Sequence, residues 1–281
     1  MLSRVRGLLS SQRELRMIWE VTRHGKRSYL VGTAHFFPYH FKESLRRYIG
    51  QVETVLFEGP LDEGSARTVV EHGSKGEGGA SLLDALDPAT IGRISGELGG
   101  ASPGLSSHQM YRSLTGTDPD ALDWDRIKGV RPWMAFFQIW SRYLRKNGWT
   151  HNMELDALQL AGALGKPVRF LERIDEQLEA LDNVPLERFV HFLTNVNWSR
   201  SRREHLECYL RGNLEGLMAR VSGYPTVCDA IIGKRDPILS ARMQGFLEEG
   251  PSIAFVGAAH CPGIMTLLRE AGYRVEPQPS F

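Results

Sequence analysis

Two segments near opposite ends of the chain follow the same pattern, and this pattern constrains the fold most. An apolar run leads into Gly32-Thr33-Ala34-His35, and another leads into Gly257-Ala258-Ala259-His260. Each reads as a buried strand followed by glycine, two small residues and histidine. Glycine lets the backbone turn or pack closely where a strand ends. Because α/β proteins bind ligands at the carboxyl ends of their strands, we expect both imidazoles to point into one crevice.

Short apolar strands alternate with amphipathic helices along the chain, which indicates an α/β fold. Strands are predicted over residues 15–23, 28–34, 52–57, 166–171 and 252–256, with an edge strand at 274–275. Helices are predicted around Leu45, from Pro132 to Gly148 and over 155–164. Further helices are predicted in pieces across 175–221, with breaks near Val184-Pro185 and at Gly212, then from Asp236, which is expected to cap its helix, and from Pro262. We therefore expect a central mixed sheet, built around the two strand-Gly-x-x-His units and surrounded by helices.

The chain has 281 residues, a length that suits one large domain or two smaller ones. We interpret residues 1–281 as a single α/β domain, since the two matching segments lie near its opposite ends. Residues 72–80 and 99–107 are rich in glycine and serine and are predicted to be flexible loops. Residues 61–128 then form a helical insertion, which could serve as a lid.

Composition excludes several classes of protein. The chain has 34 basic and 33 acidic residues, so it has no overall charge that would attract nucleic acid. Its three cysteines include no Cys-x-x-Cys pair, which argues against a disulfide framework and a ribbon-type zinc site. No apolar run approaches the roughly 20 residues of a membrane-spanning helix, and no signal peptide is recognisable at the N-terminus. A cytoplasmic location is therefore expected.

Carboxylates follow two further strands and complete a candidate site. Glu58 follows the strand over 52–57, and Glu172 follows the strand over 166–171. Two imidazoles and one or two carboxylates can bind Zn, Mn, Co or Fe(II), and the same groups can serve metal-free acid–base catalysis. A single histidine at a strand end is more often a structural residue. Two copies on matching strands leave the structural and functional interpretations equally open.

The remaining histidines lack His-Glu-x-x-His or comparable spacing, and we interpret them as surface or packing residues. They are His24, His40, His72, His108, His151, His191 and His205. Cys261 adjoins His260, but in an extended chain its side chain would point elsewhere.

Several short segments occur in an order that is typical of one protein family. They are Tyr29 to His35, Val55 to Glu58, Arg131-Pro132-Trp133, Glu154 to Leu181, Lys234-Arg235-Asp236, and Phe255 to Gly263. Together they span most of the chain, which resembles the TraB/GumN family. That family is related to the Tiki metalloproteases and, more distantly, to erythromycin-esterase and ChaN-type proteins.

The resemblance implies a catalytic site formed by His35, His260, Glu58 and Arg235. It also implies a divalent metal (Mn, Co or Zn) bound by His35, His260 and Glu58, with Glu58 as third ligand or general base. Arg235 would bind a substrate carboxylate or a developing oxyanion, unless it only forms a buried salt bridge to Glu58 or Glu172. The family usually has glycine before its Leu-Asp pair, where this chain has Glu154, so Asp156 is not carried over as a site residue.

The function expected from this resemblance is metal-dependent hydrolysis of a peptide or a related amide or ester bond. The substrate would be a peptide or a small molecule. Two alternatives remain open. One is a metal-free, esterase-like hydrolase with His35 as general base. The other is a protein that binds a peptide, pheromone or haem-like ligand without converting it.

Overall fold

The computed structural model describes residues 12–74, 81–98, 124–197 and 202–278. Its strands are β1 (Ile18–Arg23), β2 (Lys26–Thr33), β3 (Thr54–Phe57), β4 (Val168–Phe170), β5 (Ser252–Gly257) and β6 (Arg274–Pro277). They form one mixed sheet in the order β4-β3-β5-β2-β1-β6. Each strand lies where the sequence predicts one, although β1, β3 and β4 are shorter than predicted.

The strands at one end of the sheet are antiparallel. β1 and β2 form a hairpin, with Ile18 opposite Val31 and Arg23 opposite Lys26. The turn contains His24 and Gly25, both with positive φ (49° and 78°), a conformation that the two-residue turns of hairpins require. β6 pairs antiparallel with β1 and closes the edge.

The strands at the other end are parallel, and they position the site. β5 pairs in parallel with both β2 and β3, and β3 pairs in parallel with β4. The four strands therefore end at the same edge of the sheet, at Thr33, Gly257, Phe57 and Phe170. The predicted mixed α/β architecture is confirmed.

Helices surround this sheet. They are α1 (Lys42–Gly50), α2 (Glu63–Ser74), α3 (Pro88–Leu98), α4 (Trp124–Lys128), α5 (Pro132–Lys146), α6 (Met153–Ala163), α7 (Ile174–Asp182), α8 (Leu186–Thr194), α9 (Arg202–Leu210), α10 (Leu214–Val221), α11 (Asp236–Glu249) and α12 (Cys261–Glu270). The predicted breaks near Val184-Pro185 and at Gly212 separate α7 from α8 and α9 from α10. No helix in the described part of the chain is long and apolar enough to span a membrane.

The buried apolar side chains form two clusters. The first cluster packs around the sheet and includes Leu30, Leu56 and Phe255. The second cluster joins the helices α3, α5 and α8 and includes Phe136 and Phe189, whose ring centroids lie 5.2 Å apart. The two clusters border a cavity of about 630 Å³.

The predicted insertion over residues 61–128 contains α2, α3 and α4. Residues 72–74, predicted to lie in a loop, belong to α2, which continues to Ser74. Residues 75–80 and the loop predicted at 99–107 lie outside the described residues. Flexibility and a lid function therefore stay predictions.

Candidate active site

The predicted site residues come together where the parallel strands end. His35 follows β2, Glu58 follows β3, and His260 follows β5. All three line the cavity, together with Arg235. The expectation of a shared crevice is met by this arrangement, because β5 lies between β2 and β3 in the sheet.

The two Gly-x-x-His segments differ in local conformation. After Gly257 the chain forms a 3-10 turn over Ala258–His260 and continues directly into α12. After Gly32 the strand continues to Thr33, and the chain then leaves the sheet as a loop. The two similar sequences therefore lie at neighbouring strand ends, but their backbones differ in conformation after the glycine.

His260 is buried and fixed by a carboxylate. Its Nδ1 lies 2.6 Å from Oδ1 of Asp236, the first residue of α11. Its Nε2 faces Glu58, with 3.8 Å to Oε1. An Nδ1 proton donated to Asp236 fixes the tautomer and leaves the Nε2 lone pair directed toward the site.

Asp236 itself packs against the first turn of α12. A Cβ added at Gly263 would overlap Oδ2 of Asp236, so only glycine leaves room for this carboxylate. The sequence predicts Asp236 as the cap of α11. That prediction is wrong, because Arg235 is the N-cap and the Asp236 side chain bonds to His260 instead.

His35 is fixed in a similar way by the start of α6. Asn152 caps this helix by accepting from the Leu155 N–H, and its side-chain amide donates to the His35 carbonyl at 2.7 Å. Two residues on, in the first turn of the helix, Oε2 of Glu154 lies 3.0 Å from His35 Nδ1. Glu154 is oriented in turn by the Thr33 hydroxyl, which donates to Oε1 at 2.8 Å.

The environment of His35 favours its protonated form. The negative charge of Glu154 raises the pKa of His35 to about 9, although burial acts in the opposite direction. The imidazole lies deep among protein groups, yet 65% of its surface is exposed because it faces the cavity. In the absence of a competing cation, this side chain is an imidazolium at neutral pH.

Glu58 and Glu172 share the guanidinium of Arg235. Arg235 Nη2 donates to Glu58 Oε1 and also to Glu172, while Nε donates to Glu172 Oε2 at 3.0 Å. The other oxygen of Glu58 accepts from the Gly257 N–H at 2.8 Å. Burial raises the pKa of Glu58, but Arg235, His260 and this N–H have the larger, opposite effect. The pKa of Glu58 is therefore lowered to about 2. Burial raises the pKa of Glu172, so Glu172 is protonated more readily than Glu58 is.

Two carboxylates that contact the histidines, Glu154 and Asp236, are absent from the predicted site. Each lies at the start of a predicted helix that continues with apolar residues, and Glu154 stands where the family usually has glycine. Asp156 instead bonds to His40 (3.1 Å) and Lys42 (3.2 Å), a contact consistent with its omission from the predicted site. His191 and His205, interpreted as surface or packing residues, line the cavity.

The predicted metal ligands fit a divalent cation in one respect. Histidines that bind metals usually donate their second ring nitrogen to a carboxylate, and His35 and His260 both have such a partner at Nδ1. Glu58 differs, because Arg235 and Gly257 engage its two oxygens. Within the described ranges, no three His, Cys, Asp or Glu side chains are grouped as a metal site.

Comparison with known proteins identifies the family. The model of the TraB/PrgY/gumN family matches residues 17–277, which include every element of the central sheet. No curated protein and no solved structure matches the chain significantly. Since the family match covers nearly the whole sequence, the chain belongs to the TraB/PrgY/gumN family.

Proposed function

We propose that this protein is a hydrolase that cleaves a peptide or a related amide or ester bond at the His35–His260 site. The observation that carries the proposal is the pair of histidines, each fixed at Nδ1 by a carboxylate and both lining one large cavity. Carboxylate–histidine pairs orient the imidazole and stabilise its charged form during proton transfer. Cavities of several hundred Å³ suit a small molecule or a short peptide.

A divalent cation (Mn, Co or Zn) is part of the proposal, with His35 and His260 as ligands through Nε2 and Glu58 as the third ligand. Such a cation supplies polarisation of a carbonyl and activation of water. The protein would contribute the two oriented imidazoles, with Asp236 and Glu154 behind them. Glu58 would have to exchange its bond with Arg235 for the cation, which leaves Arg235 paired with Glu172 and able to bind an oxyanion.

The experiment measures metal content and hydrolysis in the purified full-length chain. We expect Mn, Co or Zn to copurify, chelation to abolish cleavage of a panel of apolar peptides and esters, and the added metal to restore it. His260→Ala and His35→Ala should each remove activity, whereas His24→Ala in the β1–β2 turn should not. Unchanged activity after complete chelation would exclude the metal. Unchanged activity in both histidine variants would exclude the site.

A metal-free hydrolase is the second candidate, and the bonding of Glu58 favours it. Arg235 already donates hydrogen bonds to both Glu58 and Glu172, so each buried carboxylate has a cationic partner without a metal. In this version His260 Nε2 accepts the proton of a water, and the imidazolium of His35 donates a proton to the leaving group. His35 then acts as an acid, since its pKa is raised to about 9 by Glu154. Full activity in a chelated sample, lost in His35→Ala, would favour this candidate.

A further inference from the structure

Helix α9 forms a wall of the cavity with one of its faces. Arg202, His205, Leu206 and Tyr209 all line the cavity, at positions i, i+3, i+4 and i+7. Residues at this spacing lie on one face of a helix. The wall therefore extends along the axis of α9 from Tyr209 to Arg202.

Tyr209 marks the end of this wall that lies at the candidate active site. Its hydroxyl donates to the carbonyl of Gly32, the glycine of the first Gly-x-x-His segment. Its ring lies 4.6 Å from that of Phe37, two residues beyond His35. Since Arg202 precedes Tyr209 by seven residues, it lies roughly 10 Å further along the helix axis.

The stretch between these two ends is apolar. Leu206 contributes from α9, and aromatic side chains from α5, α8 and the segment before α11 face the same cavity, among them Phe137, Trp140, Phe192 and Tyr224. Apolar walls favour an apolar ligand, because burial of its surface removes it from water. The middle of a ligand that spans the cavity would therefore be hydrophobic.

The far end of the wall carries polar atoms without partners. Nη1 of Arg202 and Nε2 of His205 are buried and have no hydrogen-bond partner. Among the described residues, no carboxylate forms an ion pair with Arg202, whereas the nearby Arg220 is paired with Glu204 at 3.1 Å. Buried polar groups without partners are destabilising, so a ligand that bonds to them gains affinity.

Arg202 is also oriented. Its guanidinium carbon lies 5.4 Å from the centre of the Tyr143 ring, on α5. A planar guanidinium held against an aromatic face presents its N–H groups to a carboxylate with little further loss of freedom. Burial lowers the pKa of His205, so Arg202 supplies the positive charge at this end, and the neutral imidazole can donate to a carboxylate through an Nε2–H.

We propose that the substrate has an apolar body and a terminal carboxylate, which binds to Arg202 and His205 while the bond to be cleaved lies at the His35–His260 end. The roughly 10 Å between the two ends equals about three extended residues, so a hydrophobic peptide with a free C-terminus fits, as does an acyl chain of similar length. This proposal rests on the proposed function in one respect only, namely that a bond of the ligand is cleaved at the His35–His260 end. Binding of the carboxylate does not require hydrolysis.

The test measures binding of small probes through the fluorescence of Trp140 and Trp149, which line the cavity, and mass spectrometry checks that the probes stay intact. Decanoate is compared with decanol, and the tripeptide acid Leu-Leu-Phe with its C-terminal amide. We expect each acid to bind at least about tenfold more tightly than its neutral partner, as one charge-assisted hydrogen bond would give. If the acid binds more tightly only in the peptide pair, the ligand is a peptide with a free C-terminus. If it binds more tightly only in the decyl pair, the ligand is an acyl chain. Either result supports the proposal.

Substitutions then locate the carboxylate. Arg202→Met keeps the apolar stem and should abolish the preference for the acids, whereas Arg202→Lys should retain part of it. Arg203→Met, on the exposed face of the same helix, is the matched control and should change nothing. Equal affinity for acid and neutral probes, or a preference that survives in Arg202→Met, would overturn the proposal. Tighter binding of decyl phosphate than of decanoate would overturn the assignment to a carboxylate.

These outcomes can be distinguished from failure of the proposed function. If hydrolysis is never detected but the acids still bind through Arg202, the carboxylate site stands and the hydrolase proposal fails. If hydrolysis depends on His35 and His260 but is indifferent to the terminal charge of the substrate, the hydrolase stands and the carboxylate site fails.

Discussion

Each histidine of the site is bonded through Nδ1 to a carboxylate on a different helix. Asp236 at the start of α11 serves His260, and Glu154 at the start of α6 serves His35. The two pairs come from separate parts of the chain, yet they give both imidazoles the same orientation constraint. Mutation of such partners usually costs about 10- to 100-fold in metal affinity or activity.

We therefore expect Asp236→Asn to lower kcat/KM by about 10- to 100-fold while the protein stays folded. An amide cannot stabilise the imidazolium of His260 as a carboxylate does, even where it keeps the hydrogen bond. The measurement is hydrolysis together with far-UV circular dichroism. Asp175→Asn, at the exposed start of α7, is the control. Full activity in Asp236→Asn would show that the pair only supports packing.

The pKa of His35 is the second prediction at this scale. Glu154→Gln removes the charge that contributes most to raising the pKa to about 9, while the opposing effect of burial stays, so the pKa should fall well below 9. Histidine NMR of the metal-free protein measures this, with His35→Gln to assign the resonance. Since the folded pKa lies above the unfolded value, the pair stabilises the fold fully below pH 6.5 and loses its effect as the pH rises through 9. An unchanged pKa in Glu154→Gln would contradict the assignment of its cause.

The glycines of the two motifs have different roles at the scale of elements. A Cβ on Gly32 would lie 3.0 Å from Cys261 Sγ and 3.0 Å from Met17 Cγ, so this glycine allows β2 to approach the second motif closely. A Cβ on Gly257 would make only ordinary contacts, the nearest at 3.4 Å from His260 Cδ2. The two glycines therefore occupy matching positions in the sequence, but only Gly32 is required by close packing.

Gly263 couples α12 to α11, and its substitution tests that contact. Gly263→Ala would push the Asp236 carboxylate away and release His260, so we expect activity to fall about as far as in Asp236→Asn, roughly 10- to 100-fold. Gly245→Ala on α11, where a Cβ meets nothing within 4 Å, is the matched control and should keep full activity. Equal activity in both variants would mean that α12 does not position Asp236.

Local patterns account for what could be predicted of the whole molecule. Strands, helices and the shared edge of His35, Glu58 and His260 follow from periodicity and from the parallel arrangement of the strands. Glu154 and Asp236 could not be assigned, because their contacts depend on how α6 and α11 rotate against strands far away in sequence. The cavity could not be predicted from the sequence either, because it forms between two apolar clusters whose separation no local pattern specifies.

The contact between α7 and α11 predicts how the whole molecule responds to acid. Glu176 accepts two hydrogen bonds from Arg242, both at 2.7 Å, and Arg242 lowers the pKa of Glu176 to about 2. Because the folded pKa lies below the ordinary value of 4.5, this pair stabilises the fold above pH 4.5 and loses its effect as the pH falls toward 2.

Glu176→Gln should accordingly reduce the free energy of unfolding at pH 7 by about 1–2 kcal/mol, allowing for solvent around the partly exposed pair. The difference from the unsubstituted protein should shrink between pH 4.5 and pH 3, because protonation of Glu176 then removes the charge that the variant lacks at every pH. Urea unfolding at several pH values measures it, with Glu179→Gln on the exposed side of α7 as the control. A difference that stays constant down to pH 3 would show that the charge of Glu176 contributes nothing and that only its shape matters.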